Sequence, residues 1–376
     1  MTNNNMKKAC MALAVATSLG TSAAANAAIE VYNEEGTSFS VDGYFNAFYV
    51  NRDDNLADTR NSDVKMGFLP NTIGFNFSKE MGDLTLGGRS SFWSTINDSL
   101  QSATDTAIDV RQLYATVDGS WGQVLIGKDF GLYARSNIFL DEILTGFGSP
   151  GPATGVSFGN IGSGYPYPNP SAQITYRTPE MNGLKLATGI LEPADTTPGN
   201  SSEQSAPRLE AEITYTADLS GVSLTGWVNG RYQNSENDNT SVDSTGVGYG
   251  LKATLGDLSL TGSGFTSKGD MPLLITDAGD TDNDGNADPI AEEDASGYLV
   301  QGAYKLGANR LVLSYGETDS DQGDFESENT SVALFHEINP NFKVVAEYNM
   351  FEKNSKSSGA QQVDADTIAL GGIVTF

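Results

Sequence analysis

The chain has 376 residues, a formal net charge of −27, 42 glycines, 17 phenylalanines, 15 tyrosines and a single cysteine. So acidic a chain offers no basic surface for a phosphate backbone, which excludes nucleic acid as a partner, and its aromatic content excludes a solvating acidic tail. Beyond the first residues no stretch approaches the roughly eighteen unbroken apolar residues of a transmembrane helix; abundant glycine and aromatics with few prolines point instead to many strands and tight turns.

In chain order, Lys7 and Lys8 precede an apolar run at 11–19, and Ala25-Asn26-Ala27 has the small-x-small form of a cleavage site. Residues 1–27 are therefore predicted to be a signal peptide that is removed on export, leaving 28–376 as one domain. The lone Cys10 lies in the removed segment, so the exported protein is expected to have no disulfide and no cysteine-based metal site.

The first strand is predicted at about 39–49, where Phe45, Ala47 and Tyr49 alternate with Tyr44 and Asn46. A polar loop, 51–65, separates it from strands at about 72–78, 84–93, 108–117 and 123–128. The next connection, about 128–171, is far longer than an ordinary one, and connections of that length usually carry function. It bears the apolar anchors Ile138, Phe139, Leu140, Ile143 and Leu144 and the adjacent carboxylates Asp141 and Glu142. Further strands follow at about 172–178, 184–191, 208–216, 222–232, 245–254, 258–267, 297–306, 310–317, 330–338, 342–351 and 367–376. Short turns alternate with long loops at 193–207, 234–244, 269–296, 319–329 and 352–366.

Which face of these strands meets water decides the class. One face carries Glu210, Glu212 and Thr214, or Lys343, Glu347 and Asn349; the other carries Leu209, Ala211 and Ile213, or Val344, Ala346 and Tyr348. A wide ring so polar inside holds water, so the apolar band must face lipid. Aromatics gather near both strand ends: Tyr176, Tyr215, Tyr304, Phe342, Tyr348 and Phe376 fall on apolar faces, most of them toward the short turns, and Tyr49, Phe92, Tyr232, Tyr298 and Tyr315 lie toward the long loops. The predicted fold is all-β: a 16-stranded antiparallel transmembrane β-barrel with short periplasmic turns, long extracellular loops and a third loop folded into the lumen. An even strand count lets the first strand meet the last and remove the edge.

The start Ile29-Glu30-Val31-Tyr32, the strand Arg111-Gln112-Leu113-Tyr114, the run Ile126-Gly127-Lys128, the run Thr175-Tyr176-Arg177-Thr178-Pro179 and the terminal Phe376 together resemble the general trimeric porin family of Gram-negative outer membranes. The resemblance implies a homotrimer in outer-membrane lipid and lipopolysaccharide, delivered by the barrel-assembly machinery with Phe376 as an assembly signal. Each barrel would pass ions and small hydrophilic solutes, with no enzymatic activity and no cofactor. Arg111 matches a wall arginine of the family and Asp141 a loop acid. Thr72 stands where the family often has an arginine, and Gly146 where it often has a loop glutamate.

On this reading Arg89, Arg111, Asp141 and Glu142 form the pore constriction, and Arg177, Lys185, Arg208 and Arg231 are further basic residues facing the lumen. A basic wall opposite an acidic loop sets up a transverse field, and the acidic outer loops favour a modest cation preference. The segment Asp280, Asp282, Asp284 and Asp288, with Gly285 at the bend, has calcium-loop spacing, although Ala291 replaces the bidentate glutamate; an acidic low-complexity loop is the alternative. His336 is the only histidine and has no serine arranged beside it, so a hydrolase is not expected. Two other functions fit the pattern: a surface adhesin or receptor barrel working through its acidic loops, and a solute-specific channel, for which the Gly-, Pro- and Tyr-rich segment 148–170 speaks.

Overall fold

The computed structural model describes residues 28–97, 108–150, 157–194, 203–238, 240–270 and 291–376. Its first strands are β1 (Ile29–Glu34), β2 (Thr37–Asp54), β3 (Thr59–Lys65), β4 (Asn71–Met81), β5 (Leu84–Ser94), β6 (Ile108–Gly119) and β7 (Gly122–Phe130). A helical turn, α1 (Arg135–Phe139), and two short strands, β8 (Ser149–Pro150) and β9 (Ser157–Gly159), lie in the third loop. The wall resumes with β10 (Pro170–Arg177), β11 (Leu184–Leu191), β12 (Arg208–Leu219), β13 (Val222–Glu236), β14 (Ser241–Leu255) and β15 (Leu258–Lys268). It ends with β16 (Asp294–Leu306), β17 (Asn309–Ser320), β18 (Phe325–Asn339), β19 (Phe342–Asn354) and β20 (Gln361–Thr375).

Each wall strand pairs antiparallel with its successor, β7 pairs with β10 across the third loop, and β20 returns to β2 from Tyr44↔Thr375 to Asp54↔Ala365. Counting β3 and β4 as one interrupted strand, the barrel has 16 strands and is closed. Below the end of β20, β1 fills the remaining edge of β2. The seam is sealed by reciprocal backbone bonds, Gly43 N–H to Phe376 O at 2.7 Å and Phe376 N–H to Gly43 O at 3.1 Å. Gly43 has to be glycine here, because a Cβ would lie 2.4 Å from the Phe376 ring.

The break between β3 and β4 has a local cause. Pro70 brings no N–H to the ladder, and Asn46 supplies the missing partners, accepting from Gly67 N–H at 2.5 Å and donating to Leu69 O at 2.8 Å. The break turns Phe68 into the barrel, where it is buried.

Burial settles the orientation of the wall. Leu209, Ile213, Val228, Val247 and Leu313 are exposed, whereas Glu210, Glu212, Asn229, Gln301 and Asn349 are buried. An apolar exterior around a polar interior is the reverse of a soluble barrel and is what lipid requires. The aromatic belts are anchored to polar groups: the Tyr176 hydroxyl donates to Trp121 O at the short-turn end, and Tyr232 and Tyr298 donate to Asp243 and Glu317 at the other. Tyr348 belongs to the upper belt, since its hydroxyl donates to Asp366 at 3.0 Å.

Several predicted long loops are largely strand. The β2–β3, β13–β14, β17–β18 and β19–β20 hairpins stay paired out to Asp54↔Thr59, Glu236↔Ser241, Ser320↔Phe325 and Asn354↔Gln361. Above the bilayer both faces of a strand meet water, so the apolar alternation that reveals a strand disappears while the backbone ladder continues.

Inside the barrel, apolar side chains of the third loop pack on the wall in two clusters. Ile143 and Phe147 join Phe48, Phe335, Val345 and Ile373. Ile138, Leu144, Ile161 and Tyr165 join Phe68, Trp93, Phe130 and Leu299.

Candidate functional site

The third loop enters the lumen directly after β7, with Ala134 in the left-handed region at φ 59° just before α1. Carboxylates of the wall receive its backbone. Glu210 accepts from the N–H groups of Leu132 at 2.5 Å and Tyr133 at 3.0 Å, and Glu212 accepts from Ser136 N–H at 3.2 Å and Ser136 Oγ at 2.7 Å. At the loop's far side Glu347 accepts from Phe147 N–H at 2.8 Å and Gly148 N–H at 2.7 Å, while Phe68 N–H donates to Gly146 O at 3.0 Å. A Cβ on Gly146 would sit 2.2 Å from Glu347 Oε2. At Gly146, where the family often has a loop glutamate, the chain has no room for a side chain, because a wall glutamate fills the space.

Asp141 and Glu142, expected as the acidic half of the constriction, turn away from the free space. Asp141 is buried and accepts from Tyr165 Oη at 2.5 Å, Gln301 Nε2 at 2.6 Å, Ile143 N–H at 2.8 Å and Asn160 Nδ2 at 2.9 Å. Burial pushes its carboxyl above the ordinary aspartate range despite these four bonds. Glu142 points at the wall, with Lys252 Nζ at 2.7 Å, Arg310 Nη1 at 2.9 Å and Ser259 Oγ at 2.7 Å. Burial alone would raise its carboxyl, but Lys252 first, then Ser259 and Arg310, hold it below the ordinary value. Both acids fasten the loop because each buried oxygen finds its donors on the wall or within the loop.

The basic residues divide. Arg89 binds Asp42 through two nitrogens at 2.5 and 3.0 Å, Asn76 at 2.7 Å and Gln112 at 2.9 Å. Gln112 passes the chain on to Asp129 at 3.0 Å, and Asp129 lies 3.5 Å from Arg135 and 3.7 Å from Arg177. Arg111 donates to Asp109 at 2.7 Å and to the Tyr167 hydroxyl at 2.9 Å. Lys185 is exposed, 3.9 Å from Glu180. Arg208 and Arg231 point inward from β12 and β13 and are buried there in ion pairs with Glu210 and Asp270, each at 2.9 Å. The inward turn of the third loop and the Asp270 segment covers them.

The sequence reading missed Asp42, Asp129, Arg135, Glu210, Glu212, Lys252, Arg310 and Glu347 as parts of this arrangement. Except for Arg135, which lies on α1, their inward phase was readable from strand alternation; their part in the arrangement was not. The calcium-spaced residues Asp280, Asp282, Asp284 and Asp288 lie outside the described residues.

Two regions of free space lie beside the loop, both lined by Arg89 and Phe139. One, of about 370 Å³, opens toward the short turns past Tyr114, Arg135, Arg177, Lys185 and Glu212. The other, of about 120 Å³, lies between Trp93, Arg111 and Phe130 on the wall and Phe139 and Leu144 on the loop. A closed, lipid-facing barrel with a polar, loop-narrowed lumen is an outer-membrane channel for passive diffusion, discriminating by bore and lining charge.

Comparison with known proteins agrees. The chain matches the Gram-negative porin family over residues 9–356 and belongs to it. It is 26% identical to porin-like protein L of Photobacterium profundum over 387 residues, covering 99% of this chain and 100% of that one. It is 25% identical to outer membrane protein U of Vibrio parahaemolyticus over 388 residues, covering 97% and 98%. Among solved structures, the anion-selective porin of Comamonas acidovorans superposes with a TM-score of 0.69 at 13% identity, covering 90% of this chain and 100% of that one. The OmpF of Salmonella typhi gives 0.61 at 15% identity, covering 93% and 100%.

Proposed function

We propose that the channel is weakly selective at its constriction and that its modest cation preference comes from the extracellular rim. The observation that supports this is pairing: Arg89 is matched by Asp42, Arg111 by Asp109, and Arg135 and Arg177 share Asp129. Paired charges leave little net field in the bore. At the rim, acids outnumber bases: Asp53 and Asp54 pair with Arg60 and Arg52, Lys356 is shared by Asp319 and Asp321, and Asp324 and Glu326 add further carboxylates at the upper strand ends. Exposed carboxylates concentrate cations over a distance set by salt, about 10 Å at 0.1 M and about 3 Å at 1 M. Reversal potentials under KCl gradients test the reading: cation preference at low salt should fade at high salt. A preference that ignores salt, or favours anions throughout, counts against it.

The assembly proposed is a homotrimer without enzymatic activity, as the family resemblance implies; the mass of the detergent-extracted particle tests it. Calcium binding by the 280–288 loop also stands as a proposal, and calorimetry without saturable heat would remove it.

A further inference from the structure

Where the loop borders the narrower space its face is largely apolar, whereas Arg135 and Ser136 line the wider one. With Asp141 and Glu142 turned to the wall, Phe139 and Leu144 border the narrower space, and Phe130 meets Phe139 edge-on at 5.3 Å, Trp93 at 5.8 Å and Tyr167 at 6.2 Å. Onto this aromatic cluster the wall lays one cation. The Arg111 guanidinium stands 5.0 Å from the Trp93 ring centroid and 6.0 Å from that of Tyr167, with a quarter of its side chain exposed. Held by the Tyr167 hydroxyl and Asp109, it is oriented before any solute arrives.

Two further facts narrow the chemistry. The charged side chains lining this space are Arg89, Arg111, Lys343 and one carboxylate, Asp42, so an anionic group is favoured over a cationic one. At about 120 Å³ the space is close to the roughly 150 Å³ that accepts a single benzene-sized ring.

We propose that the constriction contains a binding site for small aromatic carboxylates, with the carboxylate on Arg111 and the ring between Trp93 and the Phe139–Leu144 surface. This rests on the reading of the chain as an open diffusion channel. Arginine suits the role because it presents a planar fork to a carboxylate while stacking on aromatic faces. A site inside a channel has to bind weakly enough to release, so occupancy is expected in the millimolar range and shows as brief interruptions of ion current.

The test uses the purified full-length protein in planar bilayers with KCl, adding sodium benzoate, sodium acetate or benzyl alcohol. Benzoate should interrupt the current at concentrations where acetate, which lacks the ring, and benzyl alcohol, which lacks the charge, do not. Arg111→Gln should conduct KCl and need at least about tenfold more benzoate for the same block. Phe139→Ala, on the loop surface and outside the wall, should weaken the block several-fold and serves where the arginine variant fails to insert. Equal effects of benzoate and acetate, or of benzoate and benzyl alcohol, in a channel that conducts KCl would overturn the site. So would an unweakened block in the variants. Absence of KCl conductance in the wild-type protein would overturn the channel reading itself.

Discussion

Glu347 offers the sharpest perturbation. It rises from β19 into the lumen and receives two adjacent loop N–H groups, Phe147 at 2.8 Å and Gly148 at 2.7 Å, with only 3% of its surface exposed. Charge-assisted hydrogen bonds contribute a net ~1.5–3 kcal/mol each, so this clamp supplies about 3–6 kcal/mol toward holding the end of the loop on the wall. Removing it by Glu347→Ala should raise the population of the released segment by about two to four orders of magnitude. The barrel is expected to survive, because its ladders do not pass through this side chain and the start of the loop is held separately by Glu210 and Glu212. Single-channel recording should therefore show a channel that inserts normally but flickers to lower conductance levels as the segment near Phe147 enters the bore. Glu347→Gln keeps one acceptor and should fall between the two. An alanine variant with wild-type conductance and noise, in protein shown by circular dichroism to be folded, would refute the idea that this carboxylate positions the loop.

Three shorter predictions follow from the same geometry. Gly146→Ala should reproduce the flickering of Glu347→Ala, since its Cβ would compete for the space of Glu347 Oε2; quiet wild-type traces would argue against that close approach. Glu142 has a lowered carboxyl, so its stabilisation of the loop is present above the ordinary glutamate value of 4.5 and is lost as pH falls through the lower folded value. Current noise should rise on acidification through that window in the wild-type channel and much less in Glu142→Gln. Asp42→Asn leaves Arg89 without its carboxylate beside both parts of the bore and should shift the reversal potential toward anions, whereas Asp141→Asn, buried behind the loop, should leave it unchanged.

The pairing of Arg89, Gln112, Asp129, Arg135 and Arg177 runs across β5, β6, β7, α1 and β10. Alternation showed that Arg89 and Arg177 face inward. It could not show that Asp42 on β2 and Asp129 on β7 would neutralise them, because strand phase carries no information about which inward side chains meet. The same gap hid the burial of Arg208 and Arg231 in ion pairs with Glu210 and Asp270. The four hairpins that extend above the bilayer were hidden for a different reason: residues such as Asn234, Glu326 and Asp364 look like loop when water lies on both faces.

By itself the sequence determined the barrel, its sixteen strands, its lipid-facing band and the long third loop that narrows it. Those features follow from a local rule, since each strand's side chains alternate between lipid and water and each turn announces itself in composition. The tertiary structure alone decided which way Asp141 and Glu142 point and which wall residues hold the loop. An adjacent pair of acids on an irregular segment has no phase of its own; its direction is set by where donors such as Gln301, Tyr165, Lys252 and Arg310 stand around it.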